Sequence, residues 1–110
     1  MESDIQKLTE LVKAFIDERD WDQFHNPKDL ALALSIEAGE LNESFLWKKA
    51  EDAKPEKVRE ELADVLIYAL LLARKYNFDI PTIVKEKLAA NAVKYPVEKA
   101  KGSAKKYNEL

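Results

Sequence analysis

Residues 61–73 read ELADVLIYALLLA, and their reading decides the fold. In the twelve residues from 62 to 73 the single charge is Asp64. A stretch so apolar belongs in an interior, and burying a lone carboxylate there costs on the order of several kcal/mol unless it has a partner. Pro55 suits the first turn of a helix, and NFDIP at 77–81 breaks one, so the stretch falls in a helix from Pro55 to about Tyr76.

Three further helices follow on either side. Ile5, Leu8, Leu11, Val12, Phe15 and Ile16 recur at helical spacing behind Ser3, a good N-cap, which predicts a helix over 3–20. Asn26-Pro27 is a turn signal, and Pro27 opens a second helix to about Trp47. Pro81 opens a fourth, to about Lys94, ended by Tyr95-Pro96. The connections are short, so the expected architecture is all-α: a four-helix antiparallel bundle with helices 2 and 3 at its centre. No repeat or linker divides the chain, and 1–110 is expected to form one domain, with about 95–110 as a basic tail.

Composition narrows the classes. With 2 Gly, 4 Pro and 35 % charged residues the chain suits solvated helices. It has no Cys, hence no disulfide framework, thiolate metal site or cysteine nucleophile. That is compatible with the cytoplasm, where the protein is expected. The N-terminus is charged from its second residue and does not read as a leader, and the charge-free run 65–73 is too short to span a bilayer. A net charge of −3 argues against nucleic acid as a partner. The distribution is uneven. Residues 1–80 hold 11 basic and 18 acidic side chains, and residues 81–110 hold 7 and 3. The basic end could meet phosphate, or simply be a solvated, Lys-rich tail.

Helix 2 contains Glu37 and Glu40, and helix 3 contains Glu61 and Asp64. Side chains three apart share a helix face, so antiparallel packing would make four carboxylates converge. Oxygen ligands of this kind suit Mg2+, with Mn2+ as a substitute. The alternative is a structural ion pair, but the apolar stretches around these positions contain no Lys or Arg. Glu43 and Glu60 extend the acidic patch and read as outer face or as support behind the ligands. Trp21, Phe24, His25 and Trp47 cluster at the two ends of helix 2, and Tyr68 lies one turn past Asp64. Such rings could stack on a base or simply close the core, and His25 could serve a ligand or a surface turn. Lys87, Asn91, Lys94 and Tyr95 follow at steps that place cationic and amide donors along one side of helix 4, suited to a polyphosphate.

These strings resemble the all-α nucleoside triphosphate pyrophosphohydrolases, the MazG-like superfamily, and within it the dCTP pyrophosphatase branch. The resemblance runs through FIDERDWDQFHNPKDLALAL, EAGELNESFLWK, EELADVLIYALLLA and KLAANAVKYPVEKAKGSAKKY. The E-x-x-E and E-x-x-D signature falls on Glu37, Glu40, Glu61 and Asp64. It implies that these four hold magnesium, that Glu37 or Glu40 acts on the attacking water, and that hydrolysis falls between the α- and β-phosphates. It implies that Trp21, His25 and Trp47, with Tyr68 nearby, line the nucleoside pocket, and that Lys87, Asn91 and Tyr95 lie near the phosphates. It further implies a homodimer or homotetramer. Leu66, Leu70 and Leu71 on one side, and Leu30 and Leu34 on the other, call for close neighbours in the same way. The expected substrate is dCTP or a modified dCTP, in a nucleotide-pool housecleaning role. The same cleavage on a broader substrate set is one alternative, and a non-catalytic helical interaction module is another.

Overall fold

Ser3 opens the first helix as a reciprocal capping box. Its hydroxyl accepts from the Gln6 N–H at 3.1 Å, and the Gln6 side chain accepts from the Ser3 N–H at 2.8 Å. In the computed structural model, which describes residues 2–110, helix α1 then spans Asp4–Glu18. It ends where Asp20 turns to φ 53°. There the Asp20 N–H donates to the Asp17 carbonyl and the Trp21 N–H to that of Ile16, the paired bonds of a Schellman motif. Helix α2, Pro27–Glu43, begins behind Asn26, whose side chain accepts from the Asp29 N–H at 2.9 Å. Helix α3, Pro55–Lys75, carries Pro55 in its first turn and ends against Asn77 at φ 56°. Helix α4 spans Ile80–Lys94, with Asp79 as its side-chain cap. No strand occurs among the described residues, and none of their helices is long and apolar enough to cross a membrane.

One boundary departs clearly from the sequence reading. The second helix stops at Glu43, not Trp47. From Ser44 to Lys48 the backbone bonds shorten to the i→i−3 pattern, and Trp47 reaches φ 61°. Asn42 and Ser44, weak helix formers, lie at this transition. The basic tail after Tyr95 carries short elements of its own. Residues Val97–Ala100 form a short helix, α5, behind Pro96, and Tyr107–Glu109 make a 3-10 turn.

The chain divides into two compact units, one up to Asn77 with α1, α2 and α3, the other from Phe78 with α4 and α5. In the first, α3 packs extensively along α2 and more lightly on α1. Ile16, Leu30 and Leu71, one from each helix, are buried together, with Val12, Ile67, Tyr68 and Leu72 around them. Leu30 meets Leu71 in this core while Glu37, further along α2, meets Glu61 and Asp64, earlier in α3. The two helices are therefore antiparallel. In the second unit Tyr107 folds back on the end of α4. Its ring lies edge-on to Tyr95 at 6.2 Å, with the Lys94 ammonium 5.0 Å from its centre.

The apolar surface is divided differently from what the sequence led us to expect. Leu30, Leu70 and Leu71 are buried within the single chain, so they need no further neighbour. Ile16 of α1 covers Leu30 and Leu71, which explains the difference for these two. Leu66 is 54 % exposed, as are Leu32, Ile36 and Leu62 to similar extents.

Candidate active site

Glu37 lies mid-way along α2, and Glu61 and Asp64 lie one turn apart on α3. Their antiparallel packing brings one carboxylate oxygen of each within 4.8 Å of the others. Glu61 is buried, and Glu37 and Asp64 are partly so. The Oε2 atoms of Glu37 and Glu61 are shielded from solvent and have no hydrogen-bond partner among the described residues. Glu40, one turn further along α2, is exposed. Burial pushes the Glu37 carboxyl up to about 7, helped by hydrogen bonding toward Glu40 and by the charges of Glu40, Asp64 and Glu61. The donor set fits a hard divalent cation. It is all oxygen, its charges repel one another, and two of its buried lone-pair sites are unused.

A basic partner does reach this cluster. Lys57, four residues before Glu61, places its ammonium 2.6 Å from Glu61 Oε1. It is more than half exposed and stands outside the apolar run, which is why that run by itself gives no hint of it. Its spacing of one helical turn from Glu61 was the available signal. Glu43 and Glu60 are exposed, as expected of the outer face.

Beside the carboxylates lies a cavity of about 420 Å³, within the range of small-molecule sites. On one side Leu11, Val12, Phe15 and Ile16 come from α1, and Trp21 and His25 from the loop after it. Asp64, Ile67, Tyr68 and Leu71 of α3 form the other side. Asp64 thus belongs to both the acidic cluster and the apolar cavity. Three aromatic or imidazole groups expected from the sequence to line a pocket, Trp21, His25 and Tyr68, meet here. Trp21 packs edge-on against Phe15 at 5.9 Å. His25 Nδ1 is shielded and has no hydrogen-bond partner among the described residues. Burial, then the charges of Glu37, Asp64 and Glu40, raise the Tyr68 phenol above its ordinary pKa, which keeps it a hydrogen-bond donor. The α1 contribution was not legible from composition, because Leu11 and Phe15 read as ordinary core positions.

Trp47 does not line this cavity and stands 96 % exposed in the turn after α2. Lys87, Asn91 and Tyr95 lie in the second unit. There Asn91 and Tyr95 are joined by a 2.8 Å backbone bond, and Lys87 is exposed.

Comparison with known proteins bears on this arrangement. The MazG-like family model matches residues 32–110. The dCTP pyrophosphatase 1 proteins of Rattus norvegicus and Mus musculus are each 41 % identical over 117 aligned residues, covering 99 % of this chain and 69 % of theirs. That of Homo sapiens is 40 % identical over the same span. Among solved structures, a pyrophosphatase from Archaeoglobus fulgidus superposes with a TM-score of 0.80 at 36 % identity, over 87 % of this chain and 95 % of its own. On the strength of the family match and of relatives aligned along almost its whole length, the chain belongs to the MazG-like family.

Proposed function

We propose that this protein is a hydrolase that cleaves nucleoside triphosphates between the α- and β-phosphates, releasing monophosphate and pyrophosphate. One observation carries the reading: Asp64 is shared between the cluster of carboxylates and the apolar cavity lined by Trp21, His25 and Tyr68. A triphosphate held by its phosphates at the cluster would have its base within reach of Trp21, His25 and Tyr68. The names of the relatives support the same reaction and favour dCTP, or a modified dCTP, as substrate in nucleotide-pool housecleaning.

Glu37, Glu61 and Asp64, with Glu40 beside them, would hold the cation, Mg2+ with Mn2+ as a substitute. When bound, such an ion draws charge from phosphate oxygens and makes water more acidic. The side chains supply the rest. A carboxylate oxygen of Glu37 or Glu40 takes a proton from the water that attacks the α-phosphorus in line. The new phosphorus–oxygen bond forms as the α–β bridge breaks, and pyrophosphate carries away the bridging oxygen. Trp21 stacks on the base, His25 and the Tyr68 hydroxyl hydrogen-bond to the nucleoside, and the apolar wall from α1 excludes water. The family resemblance, rather than the geometry, is what assigns Lys87, Asn91 and Tyr95 to the phosphates and Trp47, which lies outside this cavity, to the nucleoside.

The exposed apolar side chains Leu32, Ile36, Leu62 and Leu66 support self-association, as a homodimer or homotetramer in which a four-helix bundle is completed. The test is product analysis of purified protein with a panel of deoxy- and ribonucleoside triphosphates, in magnesium and then in chelator. Magnesium-dependent monophosphate and pyrophosphate without diphosphate is the expected result. Diphosphate as product, or no turnover with metal bound, would sink the proposal.

A further inference from the structure

We infer that Asp22 is a positioning residue for the nucleoside end of the substrate, tying the loop that carries Trp21 and His25 to the last turn of α3. The inference rests on the reading of the cavity as a nucleoside pocket. Asp22 Oδ1 accepts from Lys75 Nζ at 3.0 Å and from Arg74 Nη1 at 3.4 Å. Both cations sit at the C-terminal end of α3, where the helix dipole favours them. Bonds that stay close to the loop do not reach α3. Trp21 N–H donates to Ile16, Phe24 N–H to Trp21, His25 N–H to Asp22, and Gln23 Nε2 to Asp20.

The placement gives Asp22 leverage. Trp21 and His25 line the cavity on either side of it in sequence, while Tyr68 and Asp64 line it from α3. On the α1 side the loop is steadied by the edge contact of Trp21 with Phe15. On the α3 side the Asp22 ion pairs do the same. Asp22 therefore joins the two walls of the cavity without lining it. The Asp22 side chain is 42 % exposed, and Arg74 and Lys75 are about a quarter exposed. Ion pairs this open add little to global stability, so their removal should loosen the pocket without unfolding the chain. The hydrogen bond from Lys75, followed by the Lys75 charge and the bond and charge of Arg74, holds the Asp22 carboxyl below its ordinary pKa, which keeps the tie in place at neutral pH.

The test uses Asp22→Ala and Asp22→Glu in the full chain, with Trp21→Ala alongside. Asp22→Ala is expected to raise KM for dCTP about tenfold, the scale of ordering a side chain on binding. It should leave kcat within about twofold and Mn2+ affinity unchanged, because the carboxylate cluster is untouched. Asp22→Glu, which keeps the ion pairs, should return KM most of the way to wild type. A readout free of turnover is acrylamide quenching in a Trp47→Phe background, where Trp21 is the sole indole of a chain with 2 Trp. There Asp22→Ala should make Trp21 more accessible to quencher. Raised KM in Trp21→Ala with wild-type KM and unchanged quenching in Asp22→Ala overturns the tie alone. Wild-type KM in both variants overturns the pocket reading and the inference with it.

Discussion

Glu37 and Asp22 are acids of the same three-helix unit in opposite settings. Glu37 faces other carboxylates, is partly buried and leaves an oxygen unpaired, so its carboxyl is pushed up to about 7. Asp22 faces two cations, which draw its carboxyl down. The first arrangement costs stability in the bare chain and becomes sensible only if a ligand supplies the missing positive charge. The second is complete without any ligand. Acids that hold a structure and acids that await something can thus be separated by what surrounds them rather than by residue type.

The sharpest way to break this contrast is to remove the waiting acids. Asp64→Ala or Glu40→Ala should abolish turnover, a loss exceeding the roughly 100-fold that follows removal of a group supporting a metal ligand. Near wild-type rates in either variant would show that the cluster is not catalytic. Next in size is Trp21→Ala, expected to raise KM for the nucleotide by about 10- to 100-fold, the range of a lost base-stacking ring. Steady-state kinetics at saturating metal would check it.

A smaller effect concerns stability. Between pH 4.5, the ordinary value, and about 7, Glu37 in the folded metal-free chain keeps a proton that the unfolded chain has released. Stability must then fall as pH rises through that window. Asp22 acts in the other direction. Its contribution is present above its ordinary 3.8 and is lost as pH falls through the lowered folded value. Melting curves in chelator from pH 5 to 8 should decline more steeply for wild type than for Glu37→Gln, and added Mg2+ should flatten the wild-type slope. Equal slopes would refute the account of Glu37. The smallest effect is expected from Lys57→Met, which removes the ammonium from Glu61. Calorimetric titration should show divalent cations binding slightly more tightly, because Lys57 no longer competes for that carboxylate. Weaker binding would mean that Lys57 assists the site.

Local features of the chain are the ones most legible in its sequence. Pro27 and Pro55 mark helix starts because their missing N–H groups would be unpaired in a first turn in any case, and Ser3 with Gln6 satisfies two more. Glu37, Glu61 and Asp64 can be paired from helical spacing and the need to relieve Asp64. Tertiary features are less accessible. The cavity depends on how Leu11 and Phe15 of α1 face α3, and no local pattern distinguishes a side chain that lines a hollow from one that fills a core. The end of α2 is hidden because Phe45, Leu46 and Trp47 look apolar enough to continue the helix, yet the backbone has already tightened at Ser44. The tie from Asp22 to Lys75 spans 53 positions, and nothing in the composition around either residue announces it.

The half-exposed leucines and isoleucine along α2 and α3 also bear on how the protein responds to temperature. Apolar surface already wet in a lone chain contributes nothing to the rise in heat capacity on unfolding. An isolated protomer should therefore show a heat-capacity increment below the usual ~12–15 cal/mol/K per residue, and a correspondingly flat stability curve. If copies cover those side chains, the increment rises toward the ordinary value and the melting temperature climbs with protein concentration. For such a chain, dilution and cooling become related variables, since each decides how much of its apolar surface is held away from water.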